Sequence, residues 1–339
     1  MPGARIIDVV SFMPERIVSN VAESPDGTGT ATSDQLAGHE FFEGIAERRF
    51  ASPDYTSTEL GVNALRKVLE RTSTPAADLD MIVYFSQFND KYLPGIGPDV
   101  QHLVGATNAT VAQVDTGTTS WLSGIRAAQA YIESGQHRTV AVLSVTNFVS
   151  RLPAFQHVHA SRVLGDGATA TLLTEGEPTV LAAYERSHGE HAGLLEFEPE
   201  PVDGEQRSFW QDGSGPIAVK FSKEQLDSLR GIALSLVPNA ILASLEKAGL
   251  TPDDVSLLLT HQPNRGMIKA WRESCGIEPE RCHDTLAKYG NLFHSSLPVT
   301  LADALEHGML STGDIVALGC FSNAGDMVSA MTMRWNGAT

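Results

Sequence analysis

TPDDVSLLLTHQPN, from Thr251 to Asn264, restates TPAADLDMIVYFSQFN, from Thr74 to Asn89. Each copy opens on Thr-Pro, runs through an apolar stretch of strand length and ends on Gln-x-Asn, so Ser86 corresponds to His261. A second pair lies farther along: ESGQHRTVAVLS (Glu133–Ser144) is answered by EHGMLSTGDIVALG (Glu306–Gly319), each a helix end, a glycine and a strand. Both pairs share an offset of about 175 residues, half the chain, which marks an internal duplication. Strand and helix alternate in each half. That pattern predicts an α/β fold whose halves, 1–175 and 176–339, each build a mostly parallel sheet covered by helices and join as one catalytic unit.

Outward from these repeats, residues 4–10 read as a first strand ended by Pro14, and 20–34 as a Gly/Ser/Thr-rich loop. A helix is expected over 58–72, and strands over Met81–Ser86 and Val111–Val114. A second helix follows over Trp121–Ser134, capped by Gly135, and then the strand TVAVLSV. SRVLGDGATATLLT (161–174) reads as two short strands joined by a glycine turn. The acidic, Pro- and Gly-broken stretch Gly189–Gly215 reads as the excursion between halves.

Bulk properties exclude several classes. A net charge of −17 argues against nucleic acid, which needs a basic footprint. No apolar run is long enough to span a membrane. The N-terminal MPGARIIDVVSFMP lacks the basic and apolar regions of a signal peptide, so the expected location is the cytoplasm. Three scattered cysteines, Cys275, Cys282 and Cys320, suit neither a disulfide framework nor a zinc site. His188 and His191 have metal-ligand spacing but sit without a third ligand in an acidic loop, so solvated surface and no metal are expected. GDG (Gly165–Gly167) lacks the spacing and the following helix of a phosphate loop and reads as a tight turn.

The chemistry gathers at two places. HQPN puts the imidazole of His261 at a strand's C-terminal edge, where open α/β sheets hold ligands. YGNLFHSSLP (Tyr289–Pro298) then offers Asn291 and His294 at the start of a helix. With GIAERRFA (Gly44–Ala51), LGDGATATLL (Leu164–Leu173), THQPN, and YGNLFHSSLP followed by TLADAL, the chain resembles ketoacyl-acyl-carrier-protein synthase III and its acyltransferase relatives in the thiolase superfamily. The resemblance spans nearly the whole length. It implies a five-layer αβαβα fold, a homodimer, and acyl transfer through a Cys-His-Asn triad, with His261 and Asn291 in the last two places.

The nucleophile departs from that pattern. Ungapped register from Gly105 to Gly135 puts Thr118 of VDTGTTSWLSG at the family's cysteine; anchoring on Asp115 puts Ser120 there. A hydroxyl, unlike a thiol, needs a base at hydrogen-bond distance. His294 and Asp326, the latter in CFSNAGDMVS, are expected to supply it as a pair, an arrangement the antibiotic-pathway relatives also imply. The family's tryptophan and arginines for coenzyme A fall on Gly38, Phe42, Val158 and Gly266, with Arg265 as partial replacement for the last. Leu93 falls where the family closes the acyl pocket across the dimer, and Cys320 and Phe321 are expected to line the pocket.

Together these readings imply an acyltransferase of polyketide-type or antibiotic biosynthesis. It would take an acyl group from a carrier-protein or coenzyme A thioester to a hydroxyl, amine or carrier thiol on a small-molecule or protein acceptor, with no cofactor beyond the thioester. His261, Asn291 and backbone N–H groups would hold the oxyanion. Two alternatives stand beside it: decarboxylative carbon–carbon condensation, and a catalytically silent partner subunit.

Overall fold

MIVYFS is buried at every position, as a central strand with both faces covered must be. In the computed structural model, which describes residues 3–20, 44–152, 163–220, 223–323 and 325–338, it is one of thirteen strands. These are β1 (Gly3–Phe12), β2 (Ile17–Ser19), β3 (Glu47–Arg49), β4 (Met81–Ser86), β5 (Thr110–Gln113), β6 (Thr139–Thr146) and β7 (Gly167–Gly176). The second half supplies β8 (Val180–Ser187), β9 (Glu196–Pro199), β10 (Ile217–Lys220), β11 (Leu257–Thr260), β12 (Ile315–Ser322) and β13 (Met327–Arg334). The α-helices are α1 (Ser57–Arg71), α2 (Ile96–Val104), α3 (Ser120–Glu133), α4 (Lys223–Lys247), α5 (Arg265–Ser274), α6 (Leu286–Tyr289) and α7 (Ser296–Glu306).

The duplication is visible in strand order. One sheet runs β1-β7-β6-β4-β5 and the other β8-β13-β12-β11, the same order from corresponding strands. Where β5 would have its counterpart there is a single parallel bridge between Leu258 and Cys282. The sheets are mixed, which corrects the mostly parallel expectation. β4 pairs in parallel with β5 and β6, and β11 with β12, but β7 and β13 run antiparallel to both their neighbours. The reason is a short return: β12 reverses into β13 within a few residues, which only an antiparallel pair allows. The expected pair of strands over 161–174 is likewise one strand, β7; Leu164 instead bridges Asn291, and 161–162 lie outside the described residues.

Alternation along the strands sorts side chains into layers. Val140 and Val142 of β6 face a core with Leu122 and Ile125 of α3, Leu301 and Leu305 of α7, and Leu259 and Leu318 of the second sheet. Ala141 and Leu143 face outward to Leu60, Leu65 and Val68 of α1. On the far side, Val237 and Ile241 of α4 and Trp271 of α5 cover Leu258 and Ala317. The result is five layers, αβαβα, with α3 and α7 between the sheets. α7 is buried on every side, as a helix in the middle layer must be. Gly3–Gly176 carry the first sheet and Val180–Arg334 the second, and the shared middle core ties them into one unit.

Candidate active site

Each middle helix begins with a 3₁₀ turn, Gly117–Thr119 before α3 and Phe293–Ser295 before α7. The duplication that relates the strands also relates these turns, so Thr118 and His294 are equivalent positions. Both turns open with a left-handed residue, Gly117 at φ 59° and Phe293 at φ 48°. Glycine is required at 117, because a Cβ there would stand 2.0 Å from Ser322 Oγ. Phe293 carries a strain of about 1–2 kcal/mol for its side chain. Asn291 supports it: its Oδ1 accepts from Phe293 N at 2.8 Å and from Ser296 Oγ at 3.3 Å.

The two turns meet at a cavity of ≈ 260 Å³ lined by Thr118, His294 and Phe293 together with Phe85, Ser86 and Asn323. His294 is 1% exposed, and its ring stands edge-on to Phe85 with centroids 4.5 Å apart. Its Nε2 lies 2.9 Å from Val145 O and 3.2 Å from Thr146 Oγ1. A carbonyl can only accept, so the network assigns the proton to Nε2. Nδ1 then carries the lone pair, buried without a hydrogen-bond partner. Burial lowers the His294 pKa to about 4, so the imidazole is neutral at pH 7.

Thr118 is half-buried in the same lining, and no hydrogen bond reaches its hydroxyl among the described residues. Its backbone N–H donates to Ser322 Oγ at 3.1 Å and is therefore not free for an oxyanion. Ser120, the other nucleophile candidate, is locked in the turn. Its hydroxyl donates to Gly117 O at 2.6 Å and accepts from Thr116 N at 2.9 Å, with 2% of the residue exposed. That position serves to close the turn, which corrects the expectation of a nucleophile there.

His261 caps β11 and is 4% exposed, behind the lining. Phe321 stacks edge-on to it at 5.8 Å, and burial with the nearby His294 pushes its pKa down to about 3. Its Nδ1 is also buried without a partner. The expected His294–Asp326 pair is not formed. The β12–β13 turn directs Asp326 Oδ2 back to Asn323 Nδ2 at 3.0 Å and His294 turns Nε2 to Val145 and Thr146, so that Asp326 Oδ1 and His294 Nδ1 are each buried without a hydrogen-bond partner. Cys320 is corrected too: it lies under the turn, its thiol donating to Thr118 O at 3.4 Å, and burial raises its pKa well above the usual thiol range. Phe321 fills the space between His261 and Trp271 and does not face the cavity.

Three expected residues lie elsewhere. Leu93 is 78% exposed beside Tyr92 at 87%. Arg265 opens α5 and pairs with Asp284 at 3.4 Å, with Gly266 next on that helix. Gly38, Phe42 and Val158 lie outside the described residues. His188 and His191, expected in solvent, stack at 5.5 Å, and His191 Nδ1 lies 2.9 Å from Gly325 O. They brace the β12–β13 turn, and no three-ligand metal cluster occurs among the described residues. Residue-level reading overlooked Val145, Thr146 and Ser322, which no motif marks. His294 facing Thr118 was within reach, since the repeat offset alone superposes the two turns.

Two family models match the chain: 3-oxoacyl-[acyl-carrier-protein (ACP)] synthase III over residues 113–189, and its C-terminal part over residues 245–335. The β-ketoacyl-[acyl-carrier-protein] synthase III of Symbiobacterium thermophilum is 29% identical over 301 residues, covering 86% of this chain and 87% of that protein. The protein of the same name from Caldanaerobacter subterraneus subsp. tengcongensis is 27% identical over 351 residues, with 98% of each chain covered. Among solved structures, the priming β-ketosynthase of the R1128 polyketide biosynthetic pathway superposes with a TM-score of 0.85 at 22% identity, over 100% of this chain and 98% of that one. A synthase III from Thermus thermophilus gives 0.82 at 24%, over 98% and 100%. At these identities the structural likeness speaks for the fold alone, which is thiolase-like.

Proposed function

We propose, from the premise that the chain belongs to the 3-oxoacyl-[acyl-carrier-protein] synthase III family, that it moves an acyl group from a thioester to a hydroxyl, amine or carrier thiol. The donor is an acyl carrier protein or coenzyme A thioester, and the setting is specialised, polyketide-type or antibiotic metabolism in the cytoplasm. The observation that supports this reading is His294: a buried neutral imidazole with an unpartnered Nδ1, lining a cavity beside a free hydroxyl and no thiol.

In this mechanism Nδ1, which has no hydrogen bond to the Thr118 hydroxyl in the free chain, takes the proton of the acceptor, or of Thr118 if the two close together and the acyl group rests on the protein, as its oxygen attacks the thioester carbonyl. The imidazolium then returns the proton to the departing thiolate, so that one base serves both half-steps. His261, neutral at this pKa and set behind the cavity lining, backs the site without adding a cation to it. Asn291 positions the turn that carries His294. Asp326 orients Asn323 and takes no proton. The working form is a homodimer in which Leu93 reaches toward the partner's pocket.

Intact-mass spectrometry after incubation with a panel of acyl thioesters tests the reading. His294→Ala should cut transfer by about 100-fold or more, and His294→Gln, which fills more of the buried site, should do the same with a smaller loss of stability. Thr118→Ala should match it if an adduct forms at 118, and be mild if transfer is direct. Full activity in His294→Ala would sink the mechanism. The names carried by the relatives favour carbon–carbon condensation as the second reading; a β-keto product from a malonyl donor would establish it instead. A protein inert with every donor would point to the silent partner subunit.

A further inference from the structure

We infer that the cavity beside Thr118 and His294 receives the acyl acceptor, and that the acceptor is a small, polyhydroxylated, non-anionic molecule of monosaccharide size; this rests on the acyl-transfer reading above. At ≈ 260 Å³ the cavity falls below the range of about 300–1,000 Å³ that holds drug-sized ligands. Among the described residues its apolar walls are Phe85, Leu195 and Phe293. The remainder is polar: the carboxamides of Gln87, Asn89, Gln113 and Asn323, the hydroxyl of Ser86 and the carboxylate of Asp115. An alkyl chain would strip water from these groups without replacing its hydrogen bonds, whereas a ring of hydroxyls restores them.

Several of these groups are held at one end and open at the other. Gln113 Oε1 accepts from Tyr84 Oη at 3.2 Å, Asn323 Nδ2 donates to Asp326 at 3.0 Å, and Asp115 Oδ1 accepts from Gly117 N at 3.0 Å. That leaves Gln113 Nε2, Asn323 Oδ1 and Asp115 Oδ2 without a protein partner among the described residues. A carboxamide that is fixed at one atom presents the other in a set direction, which is how a site distinguishes one hydroxyl from its neighbour. Among the described residues no lysine or arginine lines the cavity and Asp115 has no ion-pair partner, so an anionic acceptor meets repulsion there. In the transfer, the acceptor's O–H gives its proton to His294 Nδ1 while its oxygen bonds the acyl carbon. The C–S bond breaks and the imidazolium proton passes to the thiolate, so an ester and a free thiol form with no oxidant or reductant.

The test offers acetyl- and malonyl-loaded carrier protein and coenzyme A to the full chain with methyl glucoside, methyl glucosaminide, glucuronate or hexanol, and reads products by mass. Ligand-observed NMR of methyl glucoside without donor supplies a readout of binding alone. Acyl glycosides should form, with no product from glucuronate or hexanol. Gln87→Leu, which removes one carboxamide from the lining, should raise KM for the glycoside about fivefold. Transfer to hexanol or a carrier thiol, with glycosides neither binding nor reacting, overturns the acceptor class and leaves acyl transfer standing. Glycoside binding with no transfer to anything supports the acceptor class and sinks the transfer reading. Neither binding nor transfer removes both.

Discussion

Burial keeps an imidazole neutral at the cost of basicity, so it can accept a proton only where something fixes which nitrogen holds the lone pair. In His294 that is the work of Val145 O and Thr146 Oγ1 on Nε2. Thr146→Val removes one acceptor; transfer should fall several-fold, consistent with a lost hydrogen bond of about 1 kcal/mol, and Thr146→Ser should restore it. Because the hydroxyl acts through the ring, the acid limb of the pH–rate profile should move in Thr146→Val as well. In the unmodified protein that limb is expected near pH 4 and not near 6.5, since burial lowers the His294 pKa to about 4. The same shift governs stability. Above pH 6.5 both native and unfolded chains carry neutral imidazole. Between 6.5 and about 4 the unfolded chain takes up a proton that the native state refuses, so stability falls across that window and levels off below it. The loss attached to this one group is on the order of 3 kcal/mol. Melting temperature followed against pH should therefore fall less steeply in His294→Gln than in the parent; equal slopes would mean that the native imidazole titrates normally.

GDG shows how an element can be read correctly and still be undervalued. Spacing excluded a phosphate loop and left a tight turn. What spacing could not show is that Asp166 is wholly buried and gathers distant backbone donors, among them Phe148 N at 2.8 Å, Val149 N at 3.2 Å and Ala51 N at 3.1 Å. Two of these leave the end of β6 and one follows β3, so the carboxylate joins segments that are far apart in sequence and close to the turn of His294. Asp166→Ala would remove the carboxylate that these N–H groups share, and a buried hydrogen bond lost in this way costs about 1–3 kcal/mol. Chemical denaturation should show a loss of about 3 kcal/mol or more; a loss under about 1 kcal/mol would mean that water replaces the carboxylate. The bracing of the β12–β13 turn by His188 and His191 was hidden for the same reason. Local composition records acidity and glycine, but not which distant carbonyl, here that of Gly325, a side chain will meet.

At the scale of the molecule, duplication was the most legible feature, because period and apolar runs survive divergence that erases single side chains. TPDDVSLLLT and TPAADLDMIV located β11 and β4, and the same offset carries over to the two turns of the site. Strand direction was not legible in the same way: alternating strands and helices suggest parallel pairing, and only the short return of β12 into β13 reveals the antiparallel half. The duplication also leaves an asymmetry with a consequence for assembly. Among the described residues β5 is the open edge of the first sheet, and its counterpart in the second is reduced to the bridge at Cys282. Along β5, Thr110 N donates to Asp80 O and Val114 N to Tyr84 O, so alternation turns the N–H groups of Val111 and Gln113 toward the open side. An unpaired edge beside the exposed Tyr92 and Leu93 invites a second strand, and a two-fold axis there would pair β5 with its own copy. Gln113→Pro deletes one outward donor without touching the ladder to β4, and edge strands tolerate proline. Light scattering at micromolar concentration should give a dimer for the parent and a monomer, or a dimer weakened about tenfold or more, for Gln113→Pro, with the circular dichroism of the two alike. A parent that scatters as a monomer would refute the dimer outright, and a Gln113→Pro dimer of undiminished strength would place its interface on another face.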